Sequence, residues 1–483
     1  MAGFLIANMA PIMFASMIVF LLVGFPVAFA LAANGVLFGL IGIELGLFGP
    51  QIFQALPDRI FGVMANETLL AVPFFTFMGL ILERSGMAED LLETIGQLFG
   101  PVRGGLAYAV IFVGALLAAT TGVVAASVIS MGLISLPIML RYGYDKRLAA
   151  GVIAASGTLA QIIPPSLVLI VMADQLGKSV GDMYAGAFIP GLVLTSLYVA
   201  YVAIVSYVKP AWVPALPAEA RRLRGSTLML RVLTTLVPPL MLIFLVLGTI
   251  FLGIATPTEG GAMGATGALL MAIVRKRMNW SLLKQAMENT AKLTTFVVFI
   301  LIGARVFSLT FYAVDGHLWV EHLLVNLPGG QIGFLIVVNL MIFVLAFFLD
   351  YFELAFIVVP LLGPVAEKMG IDLIWFGVLL GVNMQTSFLH PPFGFALFFL
   401  RSVAPSSVKS SDIYWGAIPF VCIQILMVGL LILFPQIVAV GLDKPSTVDV
   451  NSIEIVLPET NYDEPSETPS ASENAVNPPE NTK

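Results

Sequence analysis

The chain has 483 residues, 59% of them hydrophobic and only 11% charged, with a formal net charge of -6. A mean hydropathy of +0.99 lies far outside the soluble globular range and excludes a water-soluble domain. The single cysteine, Cys422, excludes an internal disulfide and any cysteine-built metal site.

Apolar runs recur from near the first residue to about residue 440, each long enough to cross roughly 30 Å of hydrocarbon as a helix. Helices are expected because the runs are too long and too uniformly apolar for barrel strands. The opening "MAGFLIANMAPIMF" lacks the basic stretch of a cleavable signal, so the first span is expected to stay in the mature protein. In chain order, spans are predicted at 5–22, 25–44 and 66–83, then a two-armed apolar segment at 104–140, then spans at 147–172 and 185–208. Residues 209–235 begin proline-rich and basic and read as a linker. Further spans follow at 236–253, 258–274 and 294–312, a second two-armed segment at 331–366, and spans at 373–400 and 416–436. Residues 441–483 are acidic and proline-rich, the composition of a disordered tail.

Sliding the chain against itself by 227 residues sets Pro137 on Pro364, Gly143 on Gly370, Asp145 on Asp372, and Pro164 and Pro165 on Pro391 and Pro392. Outside that block the offset drifts, with "GFPVAFALAANG" facing "IATPTEGGAMGA" and "DMYAGA" at 182–187 facing "DIYWGA" at 412–417. The chain therefore reads as a duplication, 1–208 and 236–440. Each half holds five crossings and one two-armed segment; an odd number makes the second half inverted relative to the first. With the linker in the cytoplasm, most of the 23 Lys and Arg fall on that side, Arg141, Arg147, Arg221 and Arg277 among them, and both termini face the periplasm. Re-entrant hairpins and pairs of full crossings both return the chain to one side, so charge does not separate these two readings of the two-armed segments.

Proline lacks an N–H and releases the carbonyl four residues before it. Pro164 and Pro165 are expected to free the carbonyls of Ala160 and Gln161, and Pro391 and Pro392 those of Ser387 and Phe388. The stretches "SGTLAQ" (156–161) and "NMQTS" (383–387) add side-chain oxygens. Matched breaks in two halves point to a binding site near the bilayer midplane, where irregular backbone must line a cavity or lie within protein. Oxygen dipoles without fixed charge suit a monovalent hard cation, sodium rather than a transition metal.

The first tip, "AATTGVVAAS", centres on Thr120, Thr121 and Gly122, fit either to cap helix ends beside a ligand or to form a small-residue packing face. Its counterpart, "FFLDYFELAF", carries Asp350 and Glu353 on one helical face, as cavity lining or as interfacial charge. Arg305 stands inside its span, where an arginine is either paired and functional or snorkels to an interface. His317, His322 and His390 do not cluster as metal ligands; only His390 adjoins a proline pair. "LGKSVG" fails as a phosphate loop because Met172 stands where glycine is required. No nucleophile with a base, catalytic carboxylate pair or metal triad is visible, so an enzyme is not expected. Ion-coupled secondary transport is favoured over a channel, which does not need inverted halves with matched breaks.

Four stretches, "GFPVAFALAANG", "YGYDKRLAAGVIAASGTLAQIIPPSLVLIVMA", "GIATPTEGGAMGA" and "MGIDLIWFGVLLGVNMQTSFLHPPFGFALFFLRSVAP", resemble in order the signatures of the large membrane subunit of tripartite ATP-independent periplasmic (TRAP) transporters, over residues 5–440. The resemblance implies an all-α polytopic elevator fold of the ion-transporter superfamily, with two inverted repeats and a re-entrant hairpin in each. It also implies sodium (Na+) coupling with two or more ions, a small four-helix membrane subunit, a periplasmic substrate-binding protein and a place in the bacterial inner membrane. By the same resemblance, one ion site joins Thr120 and Gly122 to Thr158, Gln161 and Pro164. Another joins Asp350 to Asn383, Thr386, Ser387 and Pro391. A small organic acid is implied between the tips, touching Thr121, Gly122, Ser156, Gly157, Arg305, Asp350, Glu353 and Asn383. The first tip departs from the family pattern of a serine and an acidic residue. "LDYFEL" and "SFLHPPFGFALFFLR" resemble the branch associated with 2-oxo monocarboxylates and lactate-like acids. A stand-alone sodium/organic-anion symporter and an ion-channel subunit are the alternatives.

Overall fold

A computed structural model describes residues 2–121, 124–221, 223 and 225–442; Gly122 and the 443–483 part of the tail lie outside the described residues. Every regular element among them is helical, and the order of elements in the first half recurs in the second. Two apolar helices come first, Met9–Leu22 and Val27–Glu44 against Gly225–Phe251 and Pro257–Val274. A third follows, Ala71–Arg84 against Trp280–Ala313, then a shorter one, Met87–Phe99 against Gly316–Val325. Next come a hairpin, a broken helix and a long closing helix, Val180–Val208 or Ser410–Leu433.

The first hairpin has arms Gly105–Thr121 and Val124–Arg141. Its ends meet where the Tyr144 hydroxyl accepts the Leu106 N–H at 3.2 Å, 38 residues apart. The second has arms Gly330–Leu345 and Tyr351–Ile357 with Val359–Lys368, and Gln331 Nε2 donates to the Met369 carbonyl at 2.7 Å, again across 38 residues. Arms of 16 to 18 residues reach only about 24–27 Å at the helical rise of about 1.5 Å per residue.

Several boundaries differ from expectation. The linker is shorter than 209–235, because the helix expected from 236 already begins at Gly225. The span expected at 294–312 belongs to a 34-residue helix, Trp280–Ala313, whose start is fixed by Asn279 accepting the Leu282 N–H at 2.8 Å. Apolar length marks the bilayer, whereas helices run on into water where caps and pairs sustain them. The span expected at 5–22 is two helices that part at Asn8. The unanticipated elements include Pro50–Ala55 with Leu56–Met64, Met87–Phe99 and Gly316–Val325.

Burial separates an inner set of helices from an outer one. Leu148–Thr158 and Phe376–Met384 of the two broken helices are continuously buried. The long outer helices show large apolar side chains outward, such as Phe244 at 80% exposure and Ile204 at 62%, a surface suited to lipid rather than water.

Contacts between the halves come in reciprocal pairs. Val27–Glu44 crosses Trp280–Ala313 closely enough that a Cβ on Gly303 would lie 2.3 Å from the Ala28 carbonyl, and one on Gly35 2.6 Å from that of Val306. Pro257–Val274 meets Ala71–Arg84 through side chains instead, with Gly264 against Met78 and Gly261 against Phe74 and Phe75. We call these four helices the frame. Further in, Gly416 lies against Arg147 and Gly151, while Gly186, its partner in the duplicated "DMYAGA", lies against Ile374 and Val378. Ile374 and Val378 stand 227 positions beyond Arg147 and Gly151.

Candidate functional site

Each broken helix starts under an aspartate cap at the duplicated position. Asp145 accepts the Arg147 and Leu148 N–H groups at 2.9 and 3.2 Å, and Asp372 accepts that of Trp375 at 2.7 Å. Lys146–Thr158 tightens into a 3-10 turn at Leu159–Gln161, loses helical form across the proline pair, and restarts as Leu167–Leu176. Leu373–Met384 does the same through Gln385–Phe388, restarting as Phe395–Val403. Pro164–Pro165 and Pro391–Pro392 are both cis.

The released carbonyls fare differently in the two halves. Ser166 Oγ donates to the Gln161 carbonyl at 2.7 Å and also accepts the Val168 N–H at 3.2 Å, so one expected free carbonyl is already occupied. The equivalent position of the second half is Phe393, which brings no hydroxyl. There the Gly394 backbone closes over the Phe388 carbonyl, and a Cβ on Gly394 would lie 2.5 Å from that oxygen.

The hairpins hold the breaks. Gly114 of the first hairpin packs on Ser156, and Val128 of the other arm fills the space beside Gly157. In the second half Asn383, standing at the position of Ser156, donates from Nδ2 to the Asn339 carbonyl at 2.7 Å and to Asn339 Oδ1 at 3.0 Å. His390 is buried between the rings of Phe343 and Phe347, with centroids at 4.3 and 4.2 Å. The second tip also reaches the first break, since the Tyr351 hydroxyl donates to the Val168 carbonyl at 3.0 Å.

The two breaks meet directly. Gln385 Nε2 donates to Thr158 Oγ1 at 3.0 Å, across a sequence separation of 227. Gln424 Nε2 lies 3.5 Å from the same hydroxyl and 3.0 Å from that of Tyr198. On the broken helices the buried Ser156 Oγ, Gln161 Oε1, Gln385 Oε1 and Ser387 Oγ have no hydrogen-bond partner, nor has Oε1 of Gln424. Thr386 Oγ1, by contrast, donates to the Asn383 carbonyl at 2.6 Å.

Among the expected site residues, Ser156, Gly157, Thr158, Gln161, Asn383, Thr386 and Ser387 are buried on the broken helices beside Pro164 and Pro391. Thr120 and Thr121 end the first arm, and Gly122 lies outside the described residues. Asp350 and Glu353 do not lie side by side on a helical face. Asp350 is the N-cap of Tyr351–Ile357, accepting the Glu353 N–H at 2.8 Å while Glu353 accepts the Asp350 N–H at 2.9 Å. Arg305 sits on the exposed face of its helix and pairs with neither of them. Among the described residues no three His, Cys, Asp or Glu converge as metal ligands. Gln424, Tyr198 and Asn339 were missed, because one polar residue in an apolar span carries no sign of its partner.

Over residues 14–437 the chain matches the family model described as "Tripartite ATP-independent periplasmic transporter, DctM component". It is 31% identical over 413 residues to the C4-dicarboxylate TRAP transporter large permease of Pseudomonas aeruginosa, covering 83% of this chain and 91% of that one. It is 29% identical over 431 residues to the ectoine TRAP transporter large permease of Halomonas elongata, covering 89% and 98%. Among solved structures, the YdaH transporter of Alcanivorax borkumensis matches with a TM-score of 0.56 at 15% identity over 80% of this chain and 88% of that one, a likeness of fold.

Proposed function

The chain belongs to the DctM component family of tripartite ATP-independent periplasmic transporters, and on that premise we propose that it couples uptake of a small organic acid to a sodium gradient. The family's large permeases are multi-pass membrane proteins that work with a small membrane subunit and a periplasmic binding protein. The observation that carries the coupling is the group of partnerless oxygens at the two breaks, Ser156 Oγ, Gln161 Oε1, Gln385 Oε1 and Ser387 Oγ. Leaving a buried polar group unsatisfied costs about 1–3 kcal/mol, so such a group persists where a ligand comes and goes. Neutral oxygens attract a hard monovalent cation without trapping it, and sodium is the coupling ion we assign.

Two inverted repeats about a pseudo-two-fold axis account for the recurring order of elements and for the reciprocal glycine contacts. Equivalent residues touch only near such an axis, and the Thr158–Gln385 bond joins two of them. In this arrangement both hairpins are re-entrant, both termini are periplasmic, and the hairpins with the broken helices move against the frame as an elevator. The acid sits between the tips, close to Ser156, Asn383 and Asp350, passed on by the binding protein. The similar permeases bear the names of C4-dicarboxylates and ectoine; a 2-oxo monocarboxylate or related acid is the cargo proposed here.

Ser156→Ala and Ser387→Ala test the ion site. Each removes a hydroxyl that has no protein partner, so thermal stability without sodium is expected to hold. The sodium concentration giving half-maximal uptake, measured in proteoliposomes with the partner subunits, is expected to rise about tenfold, the loss of one coordinating oxygen worth about 1.4 kcal/mol. Unaltered sodium activation in both variants overturns the assignment.

A further inference from the structure

A cavity of about 750 Å³ lies between the frame and the second tip. The Leu21–Phe29 turn forms one wall. A second is a stripe of Trp280–Ala313 that includes Lys292, Thr295, Phe296 and Phe299, spaced three and four apart so that they share one helical face. Phe348, Leu349 and Glu353 of the second hairpin close the third side. By the charge-based orientation, the turn and Lys292 belong to the cytoplasmic side.

Its lining is an aromatic box with a single cation. Phe29 and Phe299 meet edge to face at 5.3 Å. Lys292 forms no ion pair among the described residues, and the Thr295 hydroxyl follows it on the same face. Val27 and Ala28, whose N–H groups open the helix Val27–Glu44 without a side-chain cap, line the same space. The one carboxylate in the lining is Glu353, with an oxygen already held by the Asp350 N–H.

We propose that this cavity is a vestibule for monocarboxylates, in which Lys292 and Thr295 take the carboxylate and the phenylalanines its apolar body. A second carboxylate would find no second cation in the lining, so dicarboxylates are rejected by an uncompensated charge. The inference rests on the transport reading for the ligand's route out, and only for that; binding itself needs no ion, because none of the partnerless oxygens lines this cavity.

The experiment is equilibrium binding of radiolabelled benzoate to the purified full chain, with succinate as competitor. Saturable binding is expected with or without sodium, weakened at least about tenfold in Lys292→Met and restored in Lys292→Arg. No saturable benzoate binding by the parent chain overturns the vestibule, as does equal affinity in Lys292→Met. Succinate competing as well as unlabelled benzoate against the parent chain overturns the selectivity. Benzoate binding that persists while uptake ignores sodium refutes the coupling and leaves the vestibule standing, so the two failures are distinct.

Discussion

Gly416→Ala is expected to cut the yield of monodisperse protein about tenfold or more, while Gly186→Ala, at the duplicated position, stays close to the parent. A Cβ on Gly416 would lie 2.0 Å from the Arg147 carbonyl oxygen and 3.0 Å from the Gly151 N. Both neighbours are backbone of a helix whose following residues are continuously buried, so it cannot step aside. Gly151 returns the contact, since its own Cβ would meet the Gly416 carbonyl at 2.1 Å. Small residues are what allow two membrane helices to approach this closely. At Gly186 the nearest atoms are side-chain methyls, Ile374 Cγ2 at 2.9 Å and Val438 Cγ1 at 3.0 Å, which can rotate. Overpacking against movable side chains costs about 1–3 kcal/mol; against fixed backbone it costs the helix crossing itself. Size-exclusion profiles of the two variants in one detergent decide the point, and equal profiles would show that the broken helix and the closing helix are not this close.

The sequence made some of this legible for reasons that are local. Proline pairs, uniform apolar runs and the 227-residue echo act within a few residues or by direct comparison, and a helix ends before each proline pair and another starts after it. Helix ends were less readable. Gly225–Phe251, at 27 residues, is about 40 Å long by helical rise, so its first turns extend beyond what hydropathy marks. The lower hydropathy of Met87–Phe99 and Gly316–Val325, with acidic or histidine side chains among the apolar ones, hid them altogether. Asp350 and Glu353 show how one spacing admits two meanings. Three residues apart suits a shared helical face, but an aspartate three before a glutamate at the head of an apolar run is also a capping box, and the backbone N–H groups claimed it. What no local signal carries is the meeting of Thr158 with Gln385. The echo already made them equivalents, yet equivalence says nothing of contact until the halves pack.

That contact is where the largest functional loss is expected. Thr158→Val keeps the shape of the side chain and removes the hydroxyl that accepts from Gln385 at 3.0 Å. Gln385 Nε2 then has no acceptor, and its Oε1 has no partner to begin with. Gln424 keeps the Tyr198 hydroxyl at 3.0 Å, so one amide rather than two is stranded. Stranding one buried amide group costs about 1–3 kcal/mol, which lowers thermal stability without preventing folding. Uptake should fall much further, by about a hundredfold. The bond joins the two breaks, and on the proposed coupling a cation bound beside either one loses affinity steeply when they shift, as misplacement by about 1 Å can cost about a hundredfold in rate. Thr158→Ser restores the hydroxyl and should restore both sodium activation and uptake, whereas a purely structural role would let stability and uptake decline in proportion. If Thr158→Val loses stability yet transports at the parent rate with the same sodium dependence, the junction is packing and the ion binds elsewhere.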